Sequence, residues 1–302
     1  MTEAAGTAQA RTTEYTYDAL DRRIATVVNP GGTSELRSEH RYDANGNLVA
    51  SVQAAGTAAA RETRFVHDAH NREVYRIGAS GLLRANVYDA NGNVVETVAY
   101  ANAIATAGLS DASSAADVQA LITTASSDRH SYTTYSSDNR VEFSVDAAGF
   151  VSENRYDGRG LLQNRLSYSA AITIPAVVDS AAIAALLPAN PTAAAARTES
   201  YQYDALGRVE IFTDALGTQT KTVYDDVGNS LQIIEAFGLP EQRTTERAYD
   251  ARGAMIAETP AAGTAVATTT RYIYDALGNR SSETDARGVA LAESDSAWPQ
   301  EC

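Results

Sequence analysis

Two segments of the sequence place carboxylate and amide side chains at intervals that suit a bound cation. They read Asp43-Ala-Asn45-Gly46-Asn47 and Asp89-Ala-Asn91-Gly92-Asn93, which is similar to the start of an EF-hand loop. The glycine is fourth rather than sixth, however, and the twelfth position holds Ala54 or Tyr100 instead of glutamate. Because this ligand set is incomplete, we expect no metal site and no cofactor.

Paired carboxylates are the second candidate for chemistry, because glycosidases use two of them as acid and as base or nucleophile. Asp225 with Asp226 and Glu142 with Asp146 are close in sequence, but 38 acidic residues make some close pairs inevitable. His67 stands where other repeats have tyrosine, and the other three histidines have no Cys or His at metal-ligand spacing. Neither a G-x-S-x-G elbow nor a G-x-x-x-x-G-K motif occurs. We therefore expect no catalytic residue and a protein that is not an enzyme.

The same aspartates and glycines are better explained as turns between strands. In the segment 201–229, Tyr201 and Tyr203 alternate with polar residues, and Asp204-Ala-Leu-Gly207 interrupts the alternation before it resumes. This pattern is typical of a strand, a tight turn and a returning strand. The carboxylate of Asp204 suits backbone N–H groups just ahead of it, and Gly207 suits a positive φ.

Turns of this Tyr-Asp-x-x-Gly type recur along the chain at steps of 21, 25 or 47 residues, with a degenerate copy at Tyr135-Ser136. A larger period of 68 residues relates Tyr88, Tyr156 and Tyr224. Fixed periods of this kind are the signature of repeat architectures. The predicted structural turn residues are Asp18, Asp43, Gly46, Asp68, Asp89, Gly92, Asp157, Gly160, Asp204, Gly207, Asp225, Gly228, Asp250, Gly253, Asp275 and Gly278.

The two 47-residue steps contain extra segments that differ in composition from the strands. Asp111 is the predicted N-cap of ASSAADVQALITTA, with an apolar stripe from Ala115 to Ile122. Asp179 is the predicted N-cap of a second short helix, which Pro188 ends.

The predicted fold is all-β, with about ten antiparallel hairpins in a continuous strip and two short helical insertions. The predicted divisions are an N-terminal segment 1–13, a repeat domain 14–290 with insertions near 110–125 and 179–188, and a tail 291–302. A β-propeller is the main alternative, but its blades would need one steady period.

Charge and hydropathy exclude several classes of partner. The formal net charge of −14 argues against nucleic acid and anionic membranes, which require clustered Lys and Arg. No run approaches eighteen apolar residues, and residues 1–14 lack the apolar region of a signal peptide. We therefore expect no membrane span, and we expect this chain to be a piece of a larger protein.

The repeated segments YDALDRRI, YDANGNLV, YDANGNVV, YDGRGLL, YDALGRVE, YDDVGNSL, YDARGAMI and YDALGNRS resemble the Rhs/YD-repeat family, from about Glu14 to about Val289. The resemblance implies a β-sheet strip that coils into a spiral and in some members closes into a hollow shell around a toxic C-terminal domain. Such shells occur in insecticidal toxin complexes and polymorphic toxins, and a related barrel occurs in teneurins. Their self-cleavage motif contains Asp-Pro, a dipeptide absent from this sequence, so release of a toxin is not assigned to this chain.

The expected function is a structural module of a large secreted or cell-surface β-shell or filament scaffold. Two alternatives remain open, a shell segment that encapsulates a toxin and a glycan-binding or self-assembling adhesin. The repeated tyrosines either cover a sheet face or stack against sugars. The expected partners are neighbouring repeats of the same or identical chains, with an encapsulated effector or a surface glycan as further candidates.

Overall fold

The computed structural model describes residues 2–3, 11–32, 34–191 and 196–285, so the predicted tail 291–302 lies outside the described residues. The chain divides into two compact units. Unit 1 comprises Met1–Phe150 and Ile172–Ala185, and unit 2 comprises Val151–Ala171 and Leu186–Cys302.

Unit 1 is an antiparallel meander in which each strand pairs with the next one along the chain. Its hairpins follow from alternating strand residues joined by short turns. The strands are β1 (Thr2–Glu3), β2 (Arg11–Tyr17), β3 (Arg23–Val28), β4 (Leu36–Tyr42), β5 (Leu48–Gln53), β6 (Arg61–His67), β7 (Glu73–Ile77), β8 (Leu83–Tyr88), β9 (Val94–Ala99), β10 (Arg129–Tyr135) and β11 (Val141–Val145).

Unit 2 repeats the same meander of consecutive antiparallel strands. The strands are β12 (Val151–Tyr156), β13 (Leu162–Tyr168), β14 (Ala196–Tyr203), β15 (Val209–Thr213), β16 (Gln219–Tyr224), β17 (Ser230–Glu235), β18 (Arg243–Tyr249), β19 (Met255–Thr259), β20 (Thr270–Tyr274) and β21 (Arg280–Thr284). The prediction of an all-β protein built from antiparallel hairpin repeats is confirmed.

An apolar cluster lies in unit 1, between the sheet and the first inserted segment. Side chains of β6 to β9 form one side of it, and residues of the segment 104–118 form the other. The cluster comprises Val66, Tyr75, Ile77, Leu83, Ala85, Val98, Ile104, Leu109 and Val118. In unit 2, the buried apolar residues of the described chain come from β12, β13 and β14: Val151, Leu166, Tyr168 and Ala196. Between β15 and β21, no described residue is buried.

Each inserted segment contains one helix, and the first is shorter than its predicted apolar stripe from Ala115 to Ile122. Helix α1 (Ala115–Gln119) buries Val118 against the sheet, and helix α2 (Ser180–Ala184) buries Ile183. The Tyr75 hydroxyl donates to Oε1 of Gln119 at 2.6 Å. Among the described residues, neither helix has the length and apolarity that a transmembrane helix requires.

The predicted N-cap of the first helix is wrong. Ser114 caps α1 in a capping box with Asp117, because each of the two residues satisfies a backbone N–H of the other. Asp111 instead accepts hydrogen bonds from Arg41 Nε at 2.6 Å and from Arg64 Nη1 at 3.1 Å. These two ion pairs therefore tie the inserted segment to β4 and β6. Asp179 does cap α2, accepting from the N–H of Ala182 at 2.7 Å.

Candidate functional site

All nine predicted turn aspartates have the same local geometry. In each, Oδ1 accepts from the backbone N–H groups two and four residues ahead; for Asp204 these belong to Leu206 at 2.9 Å and Arg208 at 3.0 Å. The other eight form the equivalent pair of bonds. The main chain closes the turn, with Gly207 N–H donating to the Asp204 carbonyl. The carboxylate thus holds the loop of each hairpin.

The residue three positions after each aspartate has a left-handed backbone. The seven predicted turn glycines have φ between +80° and +102°. Two of the nine turns have a different residue there, with φ of +58° at Asp21 and +61° at Asn71, and the degenerate turn at Ser136 has Asn139 at +61°. Asn and Asp are the non-glycine residues that adopt this conformation most readily, which explains why the glycine of the motif is replaceable.

In seven of the nine turns the second carboxylate oxygen binds the side chain four residues ahead, whereas Asp157 and Asp250 pair with the arginine two residues ahead. Arg208 Nε donates to Oδ2 of Asp204 at 2.6 Å. Where that residue is asparagine, the amide donates instead, as from Asn229 Nδ2 to Oδ2 of Asp225 at 2.8 Å. The degenerate turn at Ser136 retains one backbone bond, from the N–H of Arg140 to its Oγ at 3.2 Å.

The arginine of one turn also reaches the next hairpin. The guanidinium of Arg208 lies over the ring of Tyr224, 4.5 Å from its centroid, and Nη1 donates to the carbonyl oxygen of Asp225 at 2.8 Å. Arg22 and Arg72 lie in the same way over Tyr42 and Tyr88. A planar guanidinium suits this combination of stacking and forked hydrogen bonding.

The asparagine turns make a different contact with the next turn. Asn47 Nδ2 donates to Oδ1 of Asn71 at 2.8 Å, and Asn93 Nδ2 bonds in the same way to Asn139. In both cases the acceptor is the left-handed asparagine that replaces the turn glycine. The polar residue four positions after the aspartate therefore links neighbouring turns, whether it is arginine or asparagine.

The motif tyrosines form a third link between hairpins. The hydroxyl of Tyr203 donates to the carbonyl of Leu162 at 2.7 Å, and that of Tyr224 donates to the carbonyl of Val209 at 3.1 Å. In every case the acceptor carbonyl belongs to the residue five positions after the preceding turn aspartate. For Tyr135 that aspartate is Asp89, and the acceptor is Val94. The other members of the series are Tyr42, Tyr88, Tyr135, Tyr249 and Tyr274. We call these three kinds of contact the turn ladder.

Hydrogen bonding lowers the pKa of all nine turn carboxyl groups. For Asp204 the largest cause is the backbone N–H of Arg208. At Asp68, burial acts to raise the pKa, but the side chain and N–H of Arg72 outweigh it, and the pKa falls to about 2. The turn carboxylates are therefore ionised at neutral pH and held by donors, which is the opposite of a carboxyl group poised as a general acid.

His67 interrupts the ladder because imidazole replaces the phenol ring at this position. Its Nδ1 is buried and has no hydrogen-bond partner among the described residues. Beside it is a cavity of about 240 Å³ whose lining includes Asp43, Asn47, Asp68 and Asn71. By position, the missing bond is the one that a tyrosine hydroxyl would make to the carbonyl of Leu48.

Two further candidates from the sequence, Asp146 and Tyr201, have structural roles. Asp146 closes a turn by accepting from the N–H groups of Ala148 and Phe150. Tyr201 packs against Phe212, with ring centroids 5.2 Å apart, and donates to Glu199. Within the described ranges, no group of three His, Cys, Asp or Glu side chains has an arrangement that could hold a metal ion.

The sequence predicts the turn aspartates and glycines but not the side chains that join one turn to the next. Arg22, Asn47, Arg72 and Asn93 alternate at the fourth position after successive aspartates. The alternation indicates two kinds of contact between turns, one made by arginine and one by asparagine. A residue that bonded only within its own turn would not be expected to alternate along the chain.

These features define a structural repeat protein of antiparallel β-hairpins. The family model described as RHS Repeat matches residues 249–290, which contain the Asp250 and Asp275 turns, and seven further aspartates form the same turn upstream. The predicted resemblance to the Rhs/YD-repeat family is confirmed by this match over residues 249–290. No curated protein matches the sequence.

One solved structure shares the fold. The crystal structure of TcdB2-TccC3 matches with a TM-score of 0.52 at 15% identity, covering 88% of this chain and 13% of that one. A Photorhabdus luminescens Tc holotoxin pore structure matches with a TM-score of 0.47 at 14% identity, covering 90% of this chain and 15% of that one. The chain thus spans a small part of the proteins that it matches.

Proposed function

We propose that this chain is a structural module, one segment of a larger secreted or cell-surface β-shell or filament scaffold. The turn ladder is the observation that carries the proposal. Its conspicuous polar groups, the aspartate, the following arginine or asparagine and the tyrosine hydroxyl, bond to their own turn or to the neighbouring hairpin. In repeat proteins, contacts between neighbours supply much of the stability.

The role of the turn carboxylates is tested by two adjacent aspartates. Asp225 accepts three hydrogen bonds within its turn, whereas Asp226 is exposed. We expect Asp225→Ala to lower the melting temperature by several degrees, while Asp226→Ala leaves it nearly unchanged because it removes only a solvated charge. Equal melting temperatures for the two variants would contradict a structural role for the motif aspartate.

A shell segment that encloses an effector is the second candidate. It is favoured by the similarity to TcdB2-TccC3, which at 15% identity concerns the fold alone. The test is to express the complete protein that contains this chain and to image it by electron microscopy. Closed hollow particles support the shell, and extended fibres support the filament scaffold. Separate compact domains with no continuous repeat structure would contradict both.

The scaffold proposal also includes export, since the predicted location is secreted or cell-surface. Protease treatment of intact source cells, followed by immunoblotting with an antibody against this chain, tests the location. We expect the protease to digest this chain without cell lysis, or the chain to be recovered from the medium. A cytosolic protein, which the intact cell protects from the protease, is the control. Protection equal to that of the control would contradict the predicted location.

A further inference from the structure

We infer that Asn45 and Asn91 are sites of spontaneous deamidation and isoaspartate formation in the folded protein. Each is the exposed tip residue of its turn. Each is followed by glycine, Gly46 or Gly92, and no other asparagine in the chain precedes a glycine. A glycine has no side chain to obstruct attack by its own backbone nitrogen on the preceding side chain.

The reaction joins the Gly46 nitrogen to the side-chain carbonyl carbon of Asn45. Base removes the proton from that nitrogen, the new C–N bond closes a five-membered succinimide, and the former amide nitrogen takes up a proton and leaves as ammonia. Water then opens the ring at one of its two carbonyl groups. The product is aspartate or isoaspartate at position 45, and the chain gains one negative charge.

The space around both glycines is open. A Cβ built on Gly46 meets only Nη1 of Arg22 within 4 Å, at 3.7 Å, and one built on Gly92 meets only Nη1 of Arg72, at 3.9 Å. In both cases the neighbouring atom is the far end of a long side chain. The space beside each glycine is therefore sparsely occupied by other parts of the chain.

The side-chain amides at these tips are weakly held. Among the described residues, Asn45 contributes only its backbone N–H to a hydrogen bond, to Asp43 Oδ1 at 2.9 Å. Asn91 makes the same backbone bond to Asp89 and a long side-chain bond of 3.4 Å to Asn139. The bond of Asn91 should make it the slower of the two sites.

One structural feature opposes the reaction. The N–H of Gly46 donates to the carbonyl of Asp43 at 3.2 Å, and that of Gly92 donates to the carbonyl of Asp89 at 3.1 Å. These bonds must open before the nitrogen can attack. Because Gly46 and Gly92 are exposed to solvent, water can replace the broken hydrogen bond of each N–H group while the turn is open.

Two nearby asparagines provide internal controls. Asn47 Nδ2 is held by both Asp43 and Asn71 at 2.8 Å, and Asn93 Nδ2 is held by Asp89 at 2.9 Å. They precede Leu48 and Val94, whose side chains crowd the attacking nitrogen. Both controls belong to the same turns as the proposed sites, so local unfolding of a turn exposes site and control together.

Isoaspartate would carry the main chain through the former side chain and lengthen the turn by one methylene group. Oδ1 of Asp43 bridges the N–H groups of residues 45 and 47, and a lengthened turn cannot keep both bonds. The modification would therefore distort the two turns that hold Asn47 and Asn93, the asparagines of the turn ladder. Turns with other tip residues, such as Leu206 and Leu277, would be spared.

The test is to incubate the folded protein in mildly alkaline buffer and to map peptides by mass spectrometry over time, separating isoaspartyl from aspartyl products chromatographically. Conversion at Asn45 and Asn91 should be at least several-fold faster than at Asn47 and Asn93. The Asn45→Gln/Asn91→Gln variant should melt like the parent and release correspondingly less ammonia.

Equal conversion at sites and controls would overturn the inference. So would unmodified Asn45 and Asn91 after a time in which a short peptide spanning Gly46 is fully converted. These outcomes do not bear on the scaffold proposal, which depends on contacts between repeats and not on reactivity at the turn tips.

Discussion

The hydroxyl of Tyr203 donates a 2.7 Å hydrogen bond to the main-chain carbonyl of Leu162, which lies 41 residues earlier in the sequence. The two residues belong to successive hairpins of unit 2. A side-chain bond thus supplements the backbone pairing of neighbouring strands, and the same bond recurs along the chain.

Removing this hydroxyl tests the contribution of the link. Tyr203→Phe should reduce the free energy of unfolding by about 0.5–1.5 kcal/mol, the range for one intramolecular hydrogen bond. Tyr17→Phe is the matched control, because the Tyr17 side chain is the first motif tyrosine and its hydroxyl has no partner in the described part of the chain. Urea denaturation monitored by circular dichroism measures both. A loss at Tyr17 as large as that at Tyr203 would contradict the assigned role.

Acid should weaken the folded state over a defined range. The pKa of each turn carboxyl group is lower in the folded state than the unfolded value near 3.9. Stability from these groups is therefore complete above about pH 4 and is lost as the pH falls through the folded pKa, which is about 2 for Asp68. Thermal melting across this range measures the loss.

Asp68→Asn is the control for the acid effect, because asparagine keeps an acceptor oxygen but does not titrate. The variant should be less stable than the parent at neutral pH, and the gap between the two should narrow as the pH approaches about 2. A gap that stays constant down to that pH would show that the Asp68 carboxylate does not contribute to the acid sensitivity.

Restoring the missing tyrosine contact of the turn ladder at His67 should stabilise the protein. In His67→Tyr, the phenol would occupy part of the cavity beside His67 and place its hydroxyl near the Leu48 carbonyl. We expect a gain of about 0.5–1.5 kcal/mol in the free energy of unfolding. His70→Tyr, at the exposed tip of the following turn, should have little effect. A lower melting temperature for His67→Tyr would mean that the site does not accept the larger ring.

Gly81 should be required for docking of the first inserted segment. Ile104 N–H donates to the carbonyl of Gly81 at 2.9 Å, and a Cβ built on Gly81 would overlap the Ile104 carbonyl oxygen. Gly81→Ala should therefore cost several kcal/mol more than Gly217→Ala. Both glycines have positive φ, +80° and +88°, but no atom approaches a Cβ at Gly217 within 4 Å.

Hydrogen exchange distinguishes local from global effects in the Gly81→Ala protein. The backbone N–H groups of Ile104, Val118 and Ala120 should lose protection, whereas those of β2 to β5 should keep it. Uniform loss of protection throughout unit 1 would mean that the glycine supports the sheet rather than the docked segment.

Local sequence signals predict much of this architecture because each hairpin is determined within a few residues. The carboxylate of Asp204 and the left-handed Gly207 lie in the same turn, so their roles are readable without knowledge of the rest of the chain. The same holds for Asp179, which caps the helix that follows it. The period of the repeats then predicts how successive hairpins join.

The errors concern residues whose partners are distant in sequence. Asp111 precedes the helical segment of the first insertion as Asp179 precedes that of the second, and this predicted the same capping role. In the structure, Arg41 and Arg64 bind Asp111, and the Ser114–Asp117 capping box provides a closer alternative. No local pattern contains the position of Arg41, 70 residues away. The stacking of Arg208 on Tyr224 was missed for the same reason.

The alternation of Arg22, Asn47, Arg72 and Asn93 has a consequence for how such chains lengthen. A shift of 68 residues spans two hairpins and relates Arg72 to Arg140 and Arg208, so an insertion of two hairpins sets an arginine turn where an arginine turn stood. Excising a single hairpin would instead set an arginine beside a turn built to receive an asparagine, such as that of Asn71. Viable splices, whether made by recombination or by a protein engineer, should therefore add or remove hairpins two at a time.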